Sequence, residues 1–376
     1  MFYFNRHGLV LGHGSYGQCA PSGSSHHGVP HGLSSDSRNG KHSQTATGQL
    51  GSGGGASQIP MASSKGNLSH RLLRTGSMIP LNKPFFGKRE EKSLLSCFRK
   101  GEWASGGANS QHVERLLINK IKAKAVYLTT SGTAALELAF MTLGVGPGDE
   151  VLVPSFTFPT SASSFMRMGA TPRFCDVDPE TFNVTVETLE SQWTPKCKGI
   201  VVVHYAGRAC PMEKIIQFAR KRDLWVVEDA AHALGSHLNG VPLGGWGDFG
   251  AFSFHQTKNI VCGEGGALAS RHDRWKGLLE CCLEKGTNRR HFLRGEVKKY
   301  HWVSLGSSFG MSELLAALLS PQLERMESII ARRRIVANVY LLSKWSFPQT
   351  HIGCSKVQLF IDLIIQSKSQ HVFLLQ

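Results

Sequence analysis

The sequence predicts an α/β protein with a mostly parallel sheet and helices on both faces. Three observations carry that expectation. Short apolar runs alternate with amphipathic stretches of helical spacing from about Asn82 onward, which is the pattern of strand–helix–strand crossovers. Several runs, such as Val201-Val202-Val203, are apolar at consecutive positions, as strands buried on both sides require. Turn signals such as Gly144-Val145-Gly146-Pro147-Gly148-Asp149 separate the runs.

Taken in order, Ala125–Leu128 reads as a strand and Gly132–Leu143 as a helix. Glu150–Pro154 is a strand, Thr160–Met168 a helix, Thr171–Val177 a strand and Val184–Gln192 a helix. Gly199–His204 is a buried-type strand, Pro211–Arg222 a helix and Leu224–Glu228 a strand. Further strands are expected near Phe249–Phe254 and Gly266–Ala269. A long helix should start near Met311 and break around Pro321, since proline lacks the N–H that an interior turn uses. Another should run Leu323–Trp345, with Arg332-Arg333-Arg334 giving it a basic stretch.

The flanks read differently. Residues 1–77 hold 15 Gly, 14 Ser and 7 His with one acidic residue, Asp36. Such a composition buries too little to offset chain entropy, so a disordered extension is expected. Its histidines have no helix or hairpin context that would assemble a metal site. Its acid-poor, Ser-rich character resembles a transit peptide only weakly, because Arg is scarce. Residues 78–330 are expected to form the large domain, and 331–376 a connecting helix followed by a short tail.

Charge and cysteine content narrow the partners. The chain of 376 residues carries 42 Lys+Arg against 27 Asp+Glu, a formal net charge of +15. That favours anionic partners, including phosphorylated small molecules. No nucleic-acid-binding motif accompanies the charge, and no apolar run is long enough for a membrane-spanning helix. Nine cysteines, most of them single in apolar surroundings, fit a reducing, cytoplasmic compartment rather than a disulfide scaffold.

In open parallel sheets ligands sit beyond the carboxyl ends of the strands, so the residues after each strand matter most. Thr129-Thr130-Ser131-Gly132-Thr133 opens a helix with small hydroxyl residues and glycine. Free N–H groups there suit phosphate, although a plain N-cap by Ser131 or Thr130 explains the same residues. Phe158 follows the next strand, as a stacking ring or as core. Asp229 stands at the tip of Leu224–Glu228, with His232 three residues on; a buried carboxylate there needs a partner, or else caps a helix. Ser253-Phe254-His255-Gln256-Thr257-Lys258-Asn259 precedes the glycine-rich Gly263-Glu264-Gly265-Gly266. Lys258 is an unusual residue at a strand end in so apolar a sheet, and a desolvated lysine can form a Schiff base. A phosphate cup, an aromatic ring, a carboxylate and a lysine together match the needs of pyridoxal 5'-phosphate.

Five motifs occur in a shared order: Ser131-Gly132-Thr133-Ala134-Ala135-Leu136, Val153-Pro154-Ser155-Phe156-Thr157-Phe158, Phe174-Cys175-Asp176-Val177-Asp178-Pro179, Glu228-Asp229-Ala230-Ala231-His232 and Ser253–Asn259. On these, residues from about Met78 to Trp345 resemble the DegT/DnrJ/EryC1/StrS sugar aminotransferases. The resemblance implies the PLP-dependent transferase fold of type I, the aspartate-aminotransferase-like large domain. Within the family, Ile79–Pro84, Glu284–Arg289, Phe292–Glu296 and Lys299–Trp302 through Gly306–Phe309 look like the dTDP-4-amino-4,6-dideoxygalactose transaminases. That implies dTDP-4-dehydro-6-deoxyglucose as substrate, glutamate as donor and a homodimer. A nucleotide diphosphate would suit the Arg/Lys density between Arg289 and Lys299; a solvated basic loop explains it equally.

Carried over position by position, Lys258 resembles the lysine that holds the cofactor, and Asp229 the carboxylate that keeps its ring nitrogen protonated. Phe158 matches the stacking aromatic, and His232 a position, often Gln, that lies against the ring and its 3-hydroxyl. Ser131, Gly132, Thr133 and Ser253 match the phosphate side. Ser308 falls where many relatives carry an Asn that reaches the phosphate of the neighbouring subunit, and it is shorter. Some relatives are dehydratases with His in place of the lysine, so Lys258 favours transamination. Relatives also continue into a small α/β domain that closes the site, and nothing after Trp345 resembles it. The expectation is a shortened form with little or no turnover, or a catalytically dead paralogue that only folds, binds the cofactor weakly or dimerises.

Overall fold

A computed structural model of the chain describes residues 83–342. The expectations for residues 1–77 and for the C-terminal tail lie outside the described residues.

Seven strands form one sheet in the order β1-β9-β8-β5-β4-β2-β3. They are β1 (Ala125–Thr129), β2 (Glu150–Pro154), β3 (Thr171–Cys175), β4 (Cys197–Val203), β5 (Trp225–Asp229), β8 (Phe249–Ser253) and β9 (Gly266–Ser270). Strands β3, β2, β4, β5 and β8 pair in parallel, in registers such as Val203↔Asp229 and Asp229↔Ala251. Strand β9 runs antiparallel to both β8 and β1, so β1 points the same way as the parallel set. A separate small hairpin joins β6 (His237–Leu238) to β7 (Val241–Pro242).

Helices cover both faces, as the double-sided apolar strands demand. On one face, α3 (Gly132–Leu143), α4 (Thr160–Met166) and α7 (Lys276–Leu283) share a buried cluster with Val151, Val153, Val201, Val227 and Ala251. On the other, α5 (Val186–Glu190) and α6 (Met212–Lys221) pack on Leu152, Ile200, Val202 and Val226. Also there, α2 (Ala108–Ile121), α9 (Glu313–Glu324) and α10 (Met326–Leu342) pack on Val126, Leu128 and Phe252. The alternation of Val201 with Ile200 and Val202, and of Val227 with Val226, is the period of two that sends neighbours to opposite faces. Each large apolar side chain so buried contributes about 1.5–3 kcal/mol. Helix α1 (Lys88–Lys100) packs beside α9, where buried Glu90 accepts from Gln322 Nε2 at 2.9 Å. The short α8 (Arg289–Leu293) follows α7.

Most strands and helices fall where the periodicity places them. Helix α3 shows why: Ser131 caps it by accepting the Ala134 N–H at 3.0 Å, and Gly144 ends it at φ +69°. Pro321 does not break its helix. Helix α9 continues through it to Glu324, and the turn comes at Arg325. Pro321 is itself buried, and the packing of α9 against α1 and α2 outweighs the one backbone bond that proline removes. Helices α1 and α2 were not among the elements read from the sequence, although Val113, Leu117 and Ile121 of α2 are apolar at helical spacing. Helix α4 ends at Met166, short of the expected Met168.

Candidate active site

The carboxyl ends of β1, β2, β4, β5 and β8 share one edge of the sheet, and the singled-out residues gather there. Glycines let the backbones close up at this edge. A Cβ on Gly132 would lie 3.0 Å from Ser253 Cβ, and one on Gly266 would lie 2.3 Å from the Ser131 carbonyl. The first turn of α3 is therefore pressed directly onto the ends of β8 and β9. Ser131 spends its hydroxyl on the cap, so the N-cap reading of that residue holds. The N–H groups of Gly132 and Thr133 precede the first intrahelical bond and face outward from a positive helix end. Ser253 ends β8, and its Oγ accepts from the His255 N–H at 3.4 Å.

Asp229 closes β5 and is 7% exposed. Its Oδ2 accepts from Ser161 Oγ at 2.6 Å, and its Oδ1 from the Ala231 N–H at 3.2 Å. No helix follows it; a tight turn does, which removes the helix-cap reading. Lys258 lies not at a strand end, as expected, but in the turn five residues beyond β8. Its N–H donates to His255 O at 2.9 Å, and its own carbonyl accepts from Arg333 Nη2 on α10 at 3.5 Å. Burial holds the Lys258 amine below the ordinary lysine range, and the negative charge of Asp229 pulls the other way. The two groups thus sit in one electrostatic environment although 29 positions separate them in sequence.

Phe158 is 70% exposed at the tip of β2, which excludes the core reading and leaves its ring available to stack. Phe156 is the packed one, 5.2 Å from Phe182 and 4.7 Å from Tyr205 between ring centroids. His232 accepts the Ala206 N–H on Nδ1 at 3.2 Å and stands edge-on to Tyr205 at 5.8 Å. Ala206 adopts φ +52° to aim that N–H, a conformation that non-glycine residues rarely take. Ser308 is exposed and bridges to Glu284. Its neighbour Phe309 accepts the Thr130 N–H at 2.8 Å, so this segment borders the α3 entry turn of its own chain.

The basic segment after α7 is less available than its sequence suggests. Arg294 pairs with Glu280 at 2.7 Å and with Glu296 at 2.6 Å, and Arg290 lies 3.6 Å from Glu284. These cations are neutralised within the chain. Sequence reasoning missed Ser161, Arg333 and the buried pair His204–Glu228. Only His204 and Glu228 carried a signal, as polar residues closing apolar strands.

The residues present fit pyridoxal phosphate. A desolvated lysine, an ionisable carboxylate with capacity left after two hydrogen bonds, an exposed aromatic and a glycine-flanked helix start share one edge. Among the described residues no cluster of His, Cys, Asp and Glu could hold a metal ion, and no helix is long and apolar enough to cross a membrane.

Comparison with known proteins identifies the family. The DegT/DnrJ/EryC1/StrS aminotransferase family model matches residues 85–349. GDP-perosamine synthase of Escherichia coli O157:H7 is 34% identical over 277 residues, 73% of each chain. The spore coat polysaccharide biosynthesis protein SpsC of Bacillus subtilis is 36% identical over 273 residues, 72% of this chain and 70% of its own. The solved structure of Spr1654 from Streptococcus pneumoniae in its PLP form superposes with a TM-score of 0.64 at 31% identity, covering 70% of both chains. On sequence and fold alike, the chain belongs to the DegT/DnrJ/EryC1/StrS aminotransferase family, the pyridoxal-phosphate-dependent sugar aminotransferases.

Proposed function

We propose that this chain moves an amino group from an amino acid, glutamate in the first instance, to the keto carbon of a nucleotide-linked 4-keto-6-deoxy sugar. The observation that carries the proposal is the buried amine of Lys258, which feels the charge of Asp229 at the end of β5, with the α3 entry turn packed on the end of the neighbouring β8. Pyridoxal phosphate, when bound, supplies an aldehyde that takes up the amino group and a ring that accepts the electron pair released at the substrate carbon. The chain's own residues do the rest. Lys258 would hold the cofactor through its amine and, when that amine is free, would serve as the base that moves a proton at the substrate carbon bearing nitrogen. Burial lowers the basicity of this amine, which favours its uncharged, nucleophilic form. Asp229 would keep a proton on the ring nitrogen, Phe158 would stack on the ring and His232 would face its 3-hydroxyl. Gly132, Thr133 and Ser253 would hold the phosphate, with Ser131 fixing the turn through its cap. We assign cofactor binding to residues 78–330.

For the sugar, the stretches Glu284–Arg289 and Lys299–Phe309 favour dTDP-4-dehydro-6-deoxyglucose, whereas the relatives named GDP-perosamine synthase favour a GDP-linked sugar. A second copy of the chain is the proposed partner. Trp302, Leu305 and Tyr300 are 72%, 74% and 52% exposed, beside the strip that borders the α3 entry turn, and an apolar strip of that kind calls for cover.

The test is direct. The purified chain with pyridoxal phosphate and glutamate is given each nucleotide sugar, and 2-oxoglutarate and amino sugar are measured. Formation of both products in equal amounts, lost in Lys258→Ala, is expected with the dTDP sugar. Turnover of the GDP sugar alone would reassign the nucleotide. No transfer to either sugar would contradict the proposal and favour the other expectation, a chain that binds the cofactor without turnover.

A further inference from the structure

Asp229 does not stand alone. Its Oδ2 accepts a 2.6 Å hydrogen bond from Ser161 Oγ, and Ser161 Oγ in turn accepts one of 2.7 Å from Thr157 Oγ1. Thr157 and Ser161 are four residues apart, on either side of Pro159, and α4 begins at Thr160. Thr157 lies in the bend before the helix, and the turn through Pro159 brings its hydroxyl to that of Ser161. Ser161 is fully buried, so its hydroxyl cannot exchange its partners for bulk water. A short O–H···O⁻ bond to a carboxylate is among the stronger hydrogen bonds in proteins. A second hydroxyl feeding the first polarises it further.

We propose that Thr157 and Ser161 form a directed hydroxyl relay that fixes the rotamer of Asp229 and so aims its carboxylate at the ring nitrogen of the cofactor. Ser161 is a positioning residue that acts through Asp229. This rests on the reading of Asp229 given above. The geometry supports a role in aim as well as in packing. The Ala231 N–H pins Oδ1 from the turn after β5, and the hydroxyl pins Oδ2 from α4, so the carboxylate is fixed from two elements. A carboxylate held on one oxygen only could rotate about its Cβ–Cγ bond and lose alignment with a planar ring. Groups that act on a cofactor need supporting contacts of this kind to hold their geometry.

The experiment compares Ser161→Ala, Ser161→Thr and Thr157→Val with the parent chain. Three readouts are taken: affinity for pyridoxal phosphate, the visible band of the bound cofactor with its pH titration, and kcat against KM. Ser161→Ala is expected to weaken cofactor binding about fivefold to tenfold, shift the titration of the band, and lower kcat about tenfold with KM unchanged. Thr157→Val should move the same readouts the same way by about two- to threefold, and Ser161→Thr should restore parental values. In an Asp229→Asn background the extra effect of Ser161→Ala should vanish, because its route is gone.

Three results would overturn the relay. One is a folded Ser161→Ala with parental affinity, band and kcat. Another is an undiminished Ser161→Ala penalty in the Asp229→Asn background. The third is a Thr157→Val chain indistinguishable from the parent, which decides the question even if Ser161→Ala does not fold. Borohydride labelling of Lys258 separates this inference from the site assignment. Label on Lys258 with a silent Ser161→Ala removes the relay alone, and label elsewhere removes both.

Discussion

Glu228 and Asp229 are neighbours at the end of β5, and the sheet sends them to opposite faces. Glu228 is fully buried, with its carboxylate closed by the chain itself. Oε1 accepts from the N–H groups of Trp246 and Gly247, both at 2.7 Å, and Oε2 from Gly244 N–H at 2.7 Å and His204 Nε2 at 2.8 Å. Among the described residues, Asp229 accepts only the Ser161 hydroxyl and the Ala231 N–H. A carboxylate has about four acceptor positions. Glu228 fills them with the loop 244–247 and His204, just after β4, which makes it a clasp. Asp229 keeps acceptor capacity open, which suits a carboxylate with a ligand to meet.

The largest expected effect falls on the open carboxylate. Asp229→Asn keeps the shape and removes the charge, so kcat should fall on the order of 100-fold or more, at least about 2.7 kcal/mol of barrier. Thermal stability should change little, and a denaturation curve alongside steady-state rates reads both. Glu228→Gln should do the reverse. An amide at this position faces backbone donors with a donor of its own and leaves His204 without its ionic partner. A loss of about 2–4 kcal/mol in stability is expected, with kcat of the folded fraction near that of the parent. If both substitutions cost only activity, or both only stability, the division between clasp and site is wrong.

The two carboxylates also show what the sequence could disclose. Asp229 was legible because a carboxylate closing an apolar strand is chemically out of place, and Lys258 for a similar reason. The parallel strands were legible because burial on both sides leaves continuous apolar runs. Ser161 was not legible, since a serine in Ser161-Ala162-Ser163-Ser164 has no distinct chemistry until the fold brings Asp229 to it across 68 positions. Arg290 and Arg294 looked like free positive charge because their partners Glu280 and Glu284 lie in the preceding helix or just after it. Helix α1 was hard to read because its buried residues are Glu90 and Cys97, whereas α2 does carry an apolar stripe, Val113, Leu117 and Ile121, that the sequence reading passed over.

Smaller effects sharpen the contrast. Burial depresses the Lys258 amine below the ordinary 10.5, and Asp229 limits the depression. Capture of pyridoxal phosphate by the apoprotein should therefore depend on a group titrating below that value, and Asp229→Asn should lower the midpoint further. Stopped-flow absorbance across pH reads this, and a midpoint at or above 10.5 would remove the electrostatic link. Away from the site, Glu114 on α2 accepts the Leu128 N–H at 3.3 Å, and burial raises its carboxyl from 4.5 to about 7. A folded-state pKa above the unfolded one gives stability that is fully present below pH 4.5 and lost as pH rises through about 7. Glu114→Gln should flatten the dependence of melting temperature on pH across that window, by an amount on the order of 1–2 kcal/mol after allowance for solvent screening. Activity at a fixed pH should be unaffected.

The central claim is that Lys258, beside Asp229, is the residue that holds the cofactor. Incubation of the chain with pyridoxal phosphate, reduction with borohydride and peptide mass mapping tests it most directly. The account predicts the pyridoxyl mass on Lys258, absent from Lys258→Ala. A pyridoxyl group on another lysine, with Lys258 unmodified, would contradict it.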